Sequence, residues 1–157
     1  AHLTSSNYLV FLDGDDVLES TYFEKAGNLL DTRPDLDVIA CALQAFEGAD
    51  YVWVPPPFNF ADGFAKGTPP VTSMMRRTVF DGVGGFDEDF GLFEDFDFWL
   101  SALEKGYRAE VIAEPLLKYR VRTLSNYHRI MQPETSRGYA DSLRQRGFLP
   151  KTWTCGP

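Results

Sequence analysis

The strongest constraint on the fold is the order of three stretches near the start of the chain. Two continuous apolar runs, residues 8–12 (YLVFL) and residues 37–46 (DVIACALQAF), flank an amphipathic stretch. Short apolar runs of this kind are typical of strands that are buried on both faces. Between them apolar residues recur at helical intervals, and Thr21 and Glu24 have the spacing of a capping box. This strand–helix–strand order predicts a parallel α/β sheet with ligands at the carboxyl ends of its strands.

Three acids follow the first apolar run: Asp13, Asp15 and Asp16. Carboxylates this close repel one another, so a site at the end of a buried strand needs an opposite charge. A hard divalent cation, Mg²⁺ or Mn²⁺, suits such a group of oxygen atoms. A calcium-binding EF-hand loop counted from Asp13 is excluded, because Leu18 stands where the sixth position requires glycine. A solvated acidic turn remains open at this point.

A phosphatase is a second interpretation of the same acids. The stretch FLDGDDV fits the Asp-x-Asp-x-Val pattern of haloacid-dehalogenase-like phosphatases. In that reading Asp13 is the nucleophile and Asp15 the acid/base. The later motifs of that family are absent, because the pair Glu94-Asp95 follows a glycine turn and begins a helix. The phosphatase is retained as an alternative.

The rest of the chain predicts several further elements. We expect a short strand at residues 51–54 and an extended aromatic and proline-rich loop that reaches residue 70 and faces substrate. A helical turn at residues 77–81 and a glycine turn precede the clearest helix, whose apolar face is expected to be Phe96, Trp99, Leu100 and Leu103. Trp99 is expected to pack in the core. Two strands, residues 108–114 and 116–122, and a helical segment at residues 125–147 complete the prediction.

Charge and hydropathy exclude some classes of partner. The formal net charge is −8, which argues against nucleic acid and anionic membrane surfaces as partners. No apolar run in the sequence is long enough to span a bilayer, so no transmembrane segment is expected. The two cysteines form no metal-binding spacing, and a cytoplasmic location is expected, with peripheral attachment at the membrane face left open.

Both acid clusters together resemble a known family. FLDGDDVLES, MMRRTVFDGVGGFDEDF and FEDFDFWLSALEKGY, read in this order, are similar to the second part of a family 2 glycosyltransferase of the GT-A fold. The resemblance implies an α/β fold with a Rossmann-like mixed sheet flanked by helices. Residues 1–157 would form a single truncated domain that lacks the N-terminal nucleotide-binding half, with a catalytic core at 1–124 and a helical tail at 125–157.

The resemblance also implies roles for five residues. Asp13 and Asp15 would be the Asp-x-Asp pair that holds a divalent cation (Mn²⁺ or Mg²⁺) and the nucleotide. Asp95 would be the general base, kept ionised by the helix N-terminus, and Glu94 would orient the acceptor. Arg122 stands where the family often has a histidine, and it could pair with phosphate.

The implied reaction is inverting, metal-dependent transfer of a sugar from a nucleotide-diphosphate sugar donor to a hydroxyl of a saccharide or lipid-linked acceptor. A role in cell-envelope polysaccharide synthesis is expected. The isolated chain is expected to be weakly active or inactive, and a non-catalytic nucleotide- or sugar-binding remnant of the fold remains a further alternative.

Overall fold

The computed structural model describes residues 4–59 and 68–122, except for the side chains of residues 90–92. The strands in this part are β1 (Tyr8–Leu9), β2 (Val17–Leu18), β3 (Val38–Glu47), β4 (Val52–Trp53), β5 (Met74–Arg76) and β6 (Ala109–Val121). The helices are α1 (Tyr22–Thr32), α2 (Arg77–Val83) and α3 (Glu94–Glu104), and a 3₁₀ helix covers Glu88–Phe93. The predicted tail at 125–157 lies outside the described residues, and so does its helix at 125–147.

The strands form one mixed sheet in the order β1-β5-β3-β6-β2, with β4 pairing with β3. Strands β3 and β6 run parallel, and the other described pairs are antiparallel. The prediction of a mixed sheet is confirmed, whereas the wholly parallel sheet suggested by the strand–helix–strand order is wrong. The reason is that β1 pairs with the returning strand β5 and does not pair with β3.

Helices cover both faces of the sheet. Strand β3 contacts helices on both faces because its side chains alternate between them. Ile39 packs in a cluster with Tyr22 and Ala26 of α1. The preceding residue, Val38, packs in a second cluster with Trp99 of α3. The continuous apolar pattern of β3 is therefore explained by burial on two faces, as predicted.

The first apolar run is a shorter strand than its sequence predicts. Only Tyr8 and Leu9 pair, and their partners are Arg76 and Met75 of β5. This antiparallel register would place residues 10–12 opposite residues 74–72, but residues 10–12 have no ladder partner among the described residues. Strand β1 therefore stands at one end of the described strand order, and the prediction of a central strand is wrong.

Strand β6 is one long strand where the sequence predicts two. Pro115 lies within it, and the pairing register with β3 shifts on both sides of Ala42, which is the partner of Pro115. The register shifts accommodate the residue that lacks an N–H donor, so the ladder continues past the proline. The predicted break is a local irregularity within one strand.

Helix α3 is buried over a wider face than predicted. Trp99 is fully buried, which confirms its core position, and Phe98 and Ala102 are buried beside it. The Phe98 ring lies 4.9 Å from that of Phe86, centroid to centroid. Of the predicted apolar face, Trp99 and Leu100 are buried and Phe96 and Leu103 are half-buried, because the buried face of α3 also includes Phe98 and Ala102.

Two smaller features complete the fold. Thr21 stands at the N-cap of α1 but makes no side-chain capping bond, so the predicted capping box does not form. No helix within residues 4–59 or 68–122 has both the length and the apolar character needed to cross a membrane.

Candidate active site

The first acid cluster forms a tight turn between β1 and β2. The Asp16 amide donates to the Asp13 carbonyl at 3.1 Å, and β2 begins at the next residue. This bond closes a four-residue turn, so Asp15 lies near its tip. We call residues 13–16 the acidic turn.

The second acid pair begins α3. Gly84 and Gly85 have φ values of 102° and 86°, which are left-handed conformations that favour glycine, and Gly84 is the C-cap of α2. This confirms the predicted glycine turn. Glu94 and Asp95 occupy the first turn of α3, and the Phe96 amide donates to Asp95 Oδ1 at 2.7 Å.

One cavity of about 710 Å³ brings the two acid clusters together. Its lining includes Asp13 and Asp16 of the acidic turn and Glu94 and Asp95 of α3. The remaining lining is mostly apolar and aromatic: Val10, Phe11, Leu12, Leu43, Trp53, Pro70, Val71, Thr72, Phe86, Leu117 and Tyr119. Carboxylates separated by about eighty residues of sequence thus face one space.

Burial changes the protonation of two acids in this cavity. Loss of solvent raises the pKa of Asp95 to about 6, and the nearby Glu94 and Asp13 carboxylates add to this effect. The Phe96 amide acts in the opposite direction. Desolvation outweighs the effect of the helix N-terminus, so the pKa of Asp95 is raised and not lowered, although at about 6 it still leaves the carboxyl group mainly ionised at neutral pH. Burial also raises the pKa of Asp16.

Two arginines at the end of β6 contact the acidic turn. Arg122 Nη2 lies 3.2 Å from Asp15 Oδ2, which places Arg122 at the acidic turn, beside Asp15. Arg120 donates from its backbone amide to Asp16 Oδ1 at 2.9 Å and from Nε to the Asp15 carbonyl at 2.8 Å. The lining of the cavity includes Asp16 and does not include Asp15, because Asp15 lies near the tip of the turn.

Arg76 and Arg77 donate hydrogen bonds to backbone carbonyls. Arg76 donates to the carbonyls of Leu30 and Leu36, so it closes the end of α1 against the sheet. Arg77 donates to the Ser6 carbonyl. The structure thus gives Arg76 and Arg77 structural contacts with the backbone.

Sequence reasoning missed three residues at the site. Arg120 was not singled out, although it stands two positions before Arg122 on a predicted strand and therefore on the same face. Tyr119 and Trp53 line the cavity, and Trp53 lies in the strand predicted at 51–54. For Arg120 the available signal was its place beside Arg122 on one face of the strand predicted at residues 116–122.

Asp13 and Asp15 carry oxygen atoms of the type that hard divalent cations bind. No group of three or more His, Cys, Asp or Glu residues converges as a ready metal site within the described ranges. Mg²⁺ and Mn²⁺ are nevertheless commonly held by one or two carboxylates together with substrate phosphates and water. The oxygen donors of Asp13 and Asp15 in one turn fit that arrangement, with a diphosphate as the remaining ligand.

Comparison with known proteins identifies the family. A family model described as glycosyl transferase family group 2 matches residues 8–156. The chain is 23% identical over 133 residues to an uncharacterized glycosyltransferase of Methanocaldococcus jannaschii, covering 80% of this chain and 46% of that protein. The crystal structure of S. aureus TarS 1–349 is similar with a TM-score of 0.60 and 16% identity, over 97% of this chain and 52% of that one.

These comparisons establish the fold and the family. The likeness to the TarS structure shows the fold, which is GT-A, and the comparisons do not favour the phosphatase alternative. The chain spans about half the length of the relatives that it matches. Because the family model matches nearly all of its residues, the chain belongs to glycosyl transferase family group 2.

Proposed function

We propose that this chain carries the metal-binding and acceptor-activating parts of an inverting glycosyltransferase. The donor is a nucleotide-diphosphate sugar, and the acceptor is a hydroxyl of a saccharide or a lipid-linked saccharide. The observation that carries the proposal is the shared cavity. Its lining includes Asp13 from the acidic turn and Glu94 and Asp95 from the start of α3.

Asp95 is the proposed general base. Direct displacement at the anomeric carbon requires a carboxylate on the side opposite the leaving diphosphate, where it accepts the acceptor's proton. A pKa of about 6 leaves Asp95 mainly ionised at neutral pH and still basic enough to accept a proton. Glu94 lines the same cavity and is the proposed group that orients the acceptor hydroxyl. Attack from this side inverts the configuration at the anomeric carbon.

The acidic turn is the proposed diphosphate end. Asp13 and Asp15 would hold Mn²⁺ or Mg²⁺, which supplies neutralisation of the charge that develops on the leaving diphosphate. Arg122 lies beside Asp15 and is more exposed than it, with 62% of its side chain accessible. That position allows its guanidinium to pair with a phosphate oxygen.

Part of the cavity lining outside the acids is the proposed binding surface for sugar. Trp53 lines the cavity, together with Pro70 at the end of the predicted loop and with Val71 and Thr72 after it. An aromatic face beside a few polar groups is the usual composition of a small-molecule site. Residues 60–67 of the loop lie outside the described part. Selection among acceptors by residues 51–70 stays a prediction.

The proposal is tested with Asp95→Asn in the full-length protein, after a screen of nucleotide-sugars with Mn²⁺ has identified a donor. We expect Asp95→Asn to bind the donor as the unmodified protein does and to lose about 10²–10⁴-fold in transfer rate, the range that general base catalysis supplies. The matched control is Asp89→Asn, an exposed acid outside the cavity lining, which should retain activity.

Three outcomes would contradict parts of the proposal. Full transfer by Asp95→Asn removes Asp95 from the base role. Donor binding without any transfer by the unmodified protein favours the non-catalytic remnant. Retention of anomeric configuration in the product rules out the inverting mechanism. The division into a core at 1–124 and a tail at 125–157, the cytoplasmic location and the cell-envelope role remain predictions.

A further inference from the structure

We propose that Arg120 is a positioning residue that holds the acidic turn in the shape needed to bind a divalent cation. This inference rests on the proposed function for the identity of the bound group. Arg120 touches neither the cation nor the donor in this proposal; it acts through Asp15 and Asp16.

Arg120 is bonded to the acidic turn at two separate points. Its backbone amide donates to Asp16 Oδ1 at 2.9 Å, and its Nε donates to the Asp15 carbonyl at 2.8 Å. The turn is closed internally by the Asp16 amide, which donates to the Asp13 carbonyl at 3.1 Å. Strand β6 therefore holds both the Asp15 carbonyl and the Asp16 carboxylate, which follow the Asp15 side chain in the turn.

The guanidinium of Arg120 is itself held in place. It forms an ion pair with Glu47 at the end of β3, and its central carbon lies 4.6 Å from the centroid of the Phe46 ring. Only 25% of the Arg120 side chain is exposed. A cation confined by an aromatic face and a carboxylate has lost most of its rotamers before any ligand arrives, so it can fix a neighbouring backbone group.

The end of β3 is built in an uncommon conformation where it meets Arg120. Glu47 has a φ of 66°, the one left-handed value found outside glycine in the described residues. The next amide, that of Gly48, donates to the Val121 carbonyl at 3.0 Å. A Cβ at Gly48 would lie 2.5 Å from that carbonyl oxygen, so the two strand ends are in close contact. This contact presents Glu47 to Arg120.

Arginine is suited to this role by its shape. Its Nε binds the Asp15 carbonyl while Nη1 binds the Glu47 carboxylate, so two N–H groups of one planar fork serve two different acceptors. Lysine has one ammonium group at the end of a flexible stem and cannot reproduce this geometry. Arg122, by contrast, is largely exposed and contacts the Asp15 side chain, so the two arginines have different roles.

The test compares Arg120→Gln with Arg120→Lys, and uses Arg108→Gln as the matched control. Arg108 precedes the same strand and pairs with the exposed Asp35 at 3.4 Å, far in sequence from the acidic turn. Two quantities are measured on the full-length protein: the Kd for Mn²⁺ alone, by calorimetry, and the hydrogen-exchange rate of the Asp16 amide. The second measurement needs no metal, so it is independent of the proposed function.

We expect Arg120→Gln to raise the Kd for Mn²⁺ about tenfold, since a hydrogen bond from a charged donor is lost. We expect exchange at Asp16 to accelerate by about the same factor, because the turn opens locally without unfolding of the core. Exchange at Val38–Glu47 should stay unchanged, as should every quantity in Arg108→Gln. For Arg120→Lys, the Kd for Mn²⁺ and the exchange rate at Asp16 should lie between those of Arg120→Gln and of the unmodified protein. If Arg120→Gln does not fold, Arg120→Lys tests the positioning role.

Each remaining outcome overturns a specific statement. Unchanged exchange at Asp16, or unchanged Mn²⁺ affinity where the unmodified protein binds Mn²⁺, overturns the positioning role. Faster exchange along the whole of β3 also overturns it, because Arg120 would then support the fold in general. If the unmodified protein does not bind Mn²⁺, the metal part of the proposed function fails, and exchange at Asp16 alone decides the role of Arg120.

Discussion

Asp95 is subject to two opposing influences where α3 begins. The helix N-terminus and the Phe96 amide stabilise the carboxylate, whereas burial and the neighbouring Glu94 favour the protonated acid. Burial is the largest of these, and the pKa of Asp95 is raised to about 6. The raised pKa leaves the carboxyl group mainly ionised at neutral pH and makes it a stronger base than an exposed aspartate.

The first prediction concerns the pH dependence of transfer. Because a general base must be ionised, we expect kcat/KM to fall tenfold per pH unit below about pH 6, the pKa of Asp95. The measurement is kcat/KM for the full-length protein between about pH 4.5 and about pH 8. Asp89→Asn is the control and should show the same fall in kcat/KM at acidic pH. A rate that stays constant from about pH 7 down to about pH 5 would contradict the role of Asp95.

The second prediction concerns stability. The pKa of Asp95 is raised in the fold above the value of about 3.9 in an unfolded chain, so the folded state binds more protons between these values. The contribution of Asp95 to the free energy of unfolding is therefore fully present below about pH 4 and is lost as pH rises to about 6. We expect Asp95→Asn to melt at a higher temperature than the unmodified protein at about pH 7.5.

The difference between Asp95→Asn and the unmodified protein should shrink as pH falls toward about 4. Thermal unfolding of both proteins across this range measures it, and Asp89→Asn, which is exposed, serves as the control. An Asp95→Asn variant that is less stable at every pH would show that the buried carboxylate is not destabilising. A gain in stability together with lost transfer would also show that the variant is inactive for a chemical reason.

At the scale of elements, the glycine turn sets the path from α2 toward the 3₁₀ helix and α3. Gly84 ends α2 in a left-handed conformation, and Gly85 follows in the same region of backbone space. A Cβ at Gly84 would meet open space, whereas one at Gly85 would lie 3.3 Å from the Phe80 ring. The turn therefore combines a backbone requirement with a packing requirement, and Gly85 carries both.

The third prediction follows from this turn. We expect Gly85→Ala to lower the free energy of unfolding by about 1–2 kcal/mol, the cost of a left-handed alanine, or more if Phe80 cannot move. The control is Gly27→Ala within α1, where no atom lies near the added Cβ and the helix gains about 0.5–1 kcal/mol. Chemical denaturation measures both, and equal effects of the two substitutions would contradict the argument.

At the scale of the whole molecule, an acidic protein is proposed to bind an anionic donor. The net charge is −8, and four carboxylates line the cavity. A diphosphate brought to this space is repelled unless a cation lies between them. Arg120 and Arg122 offset part of the negative charge, but both already contact the acidic turn.

The fourth prediction therefore concerns metal removal from the full-length protein. We expect chelation to reduce transfer to background and to weaken donor binding, and we expect Mn²⁺ or Mg²⁺ to restore both. Asp13→Asn and Asp15→Asn should each raise the Mn²⁺ concentration needed for half-maximal rate. Asp50→Asn is the control, because Asp50 does not line the cavity. Its Oδ1 accepts a hydrogen bond from Gln44 at 2.8 Å. Full transfer after exhaustive chelation would contradict metal dependence.

The sequence by itself determined the local features of this protein. Acids directly after an apolar run, a glycine turn, and an acid pair at the start of a helix are all short-range patterns, and the described structure contains each of them. The strand β3 and its burial on both faces also followed from residue order alone, because side chains alternate along a strand. These patterns were enough to indicate the family that the comparisons confirm.

Only the tertiary structure decided how these pieces meet. The position of β1 in the sheet depends on which strands pair with it. Its partner β5 lies more than sixty residues away in the sequence. The pKa of Asp95 depends on solvent removed by other elements, and the role of Arg120 depends on contacts with a turn a hundred residues earlier. Local sequence specifies turns and periodicity, whereas desolvation and strand pairing arise from residues that are distant along the chain.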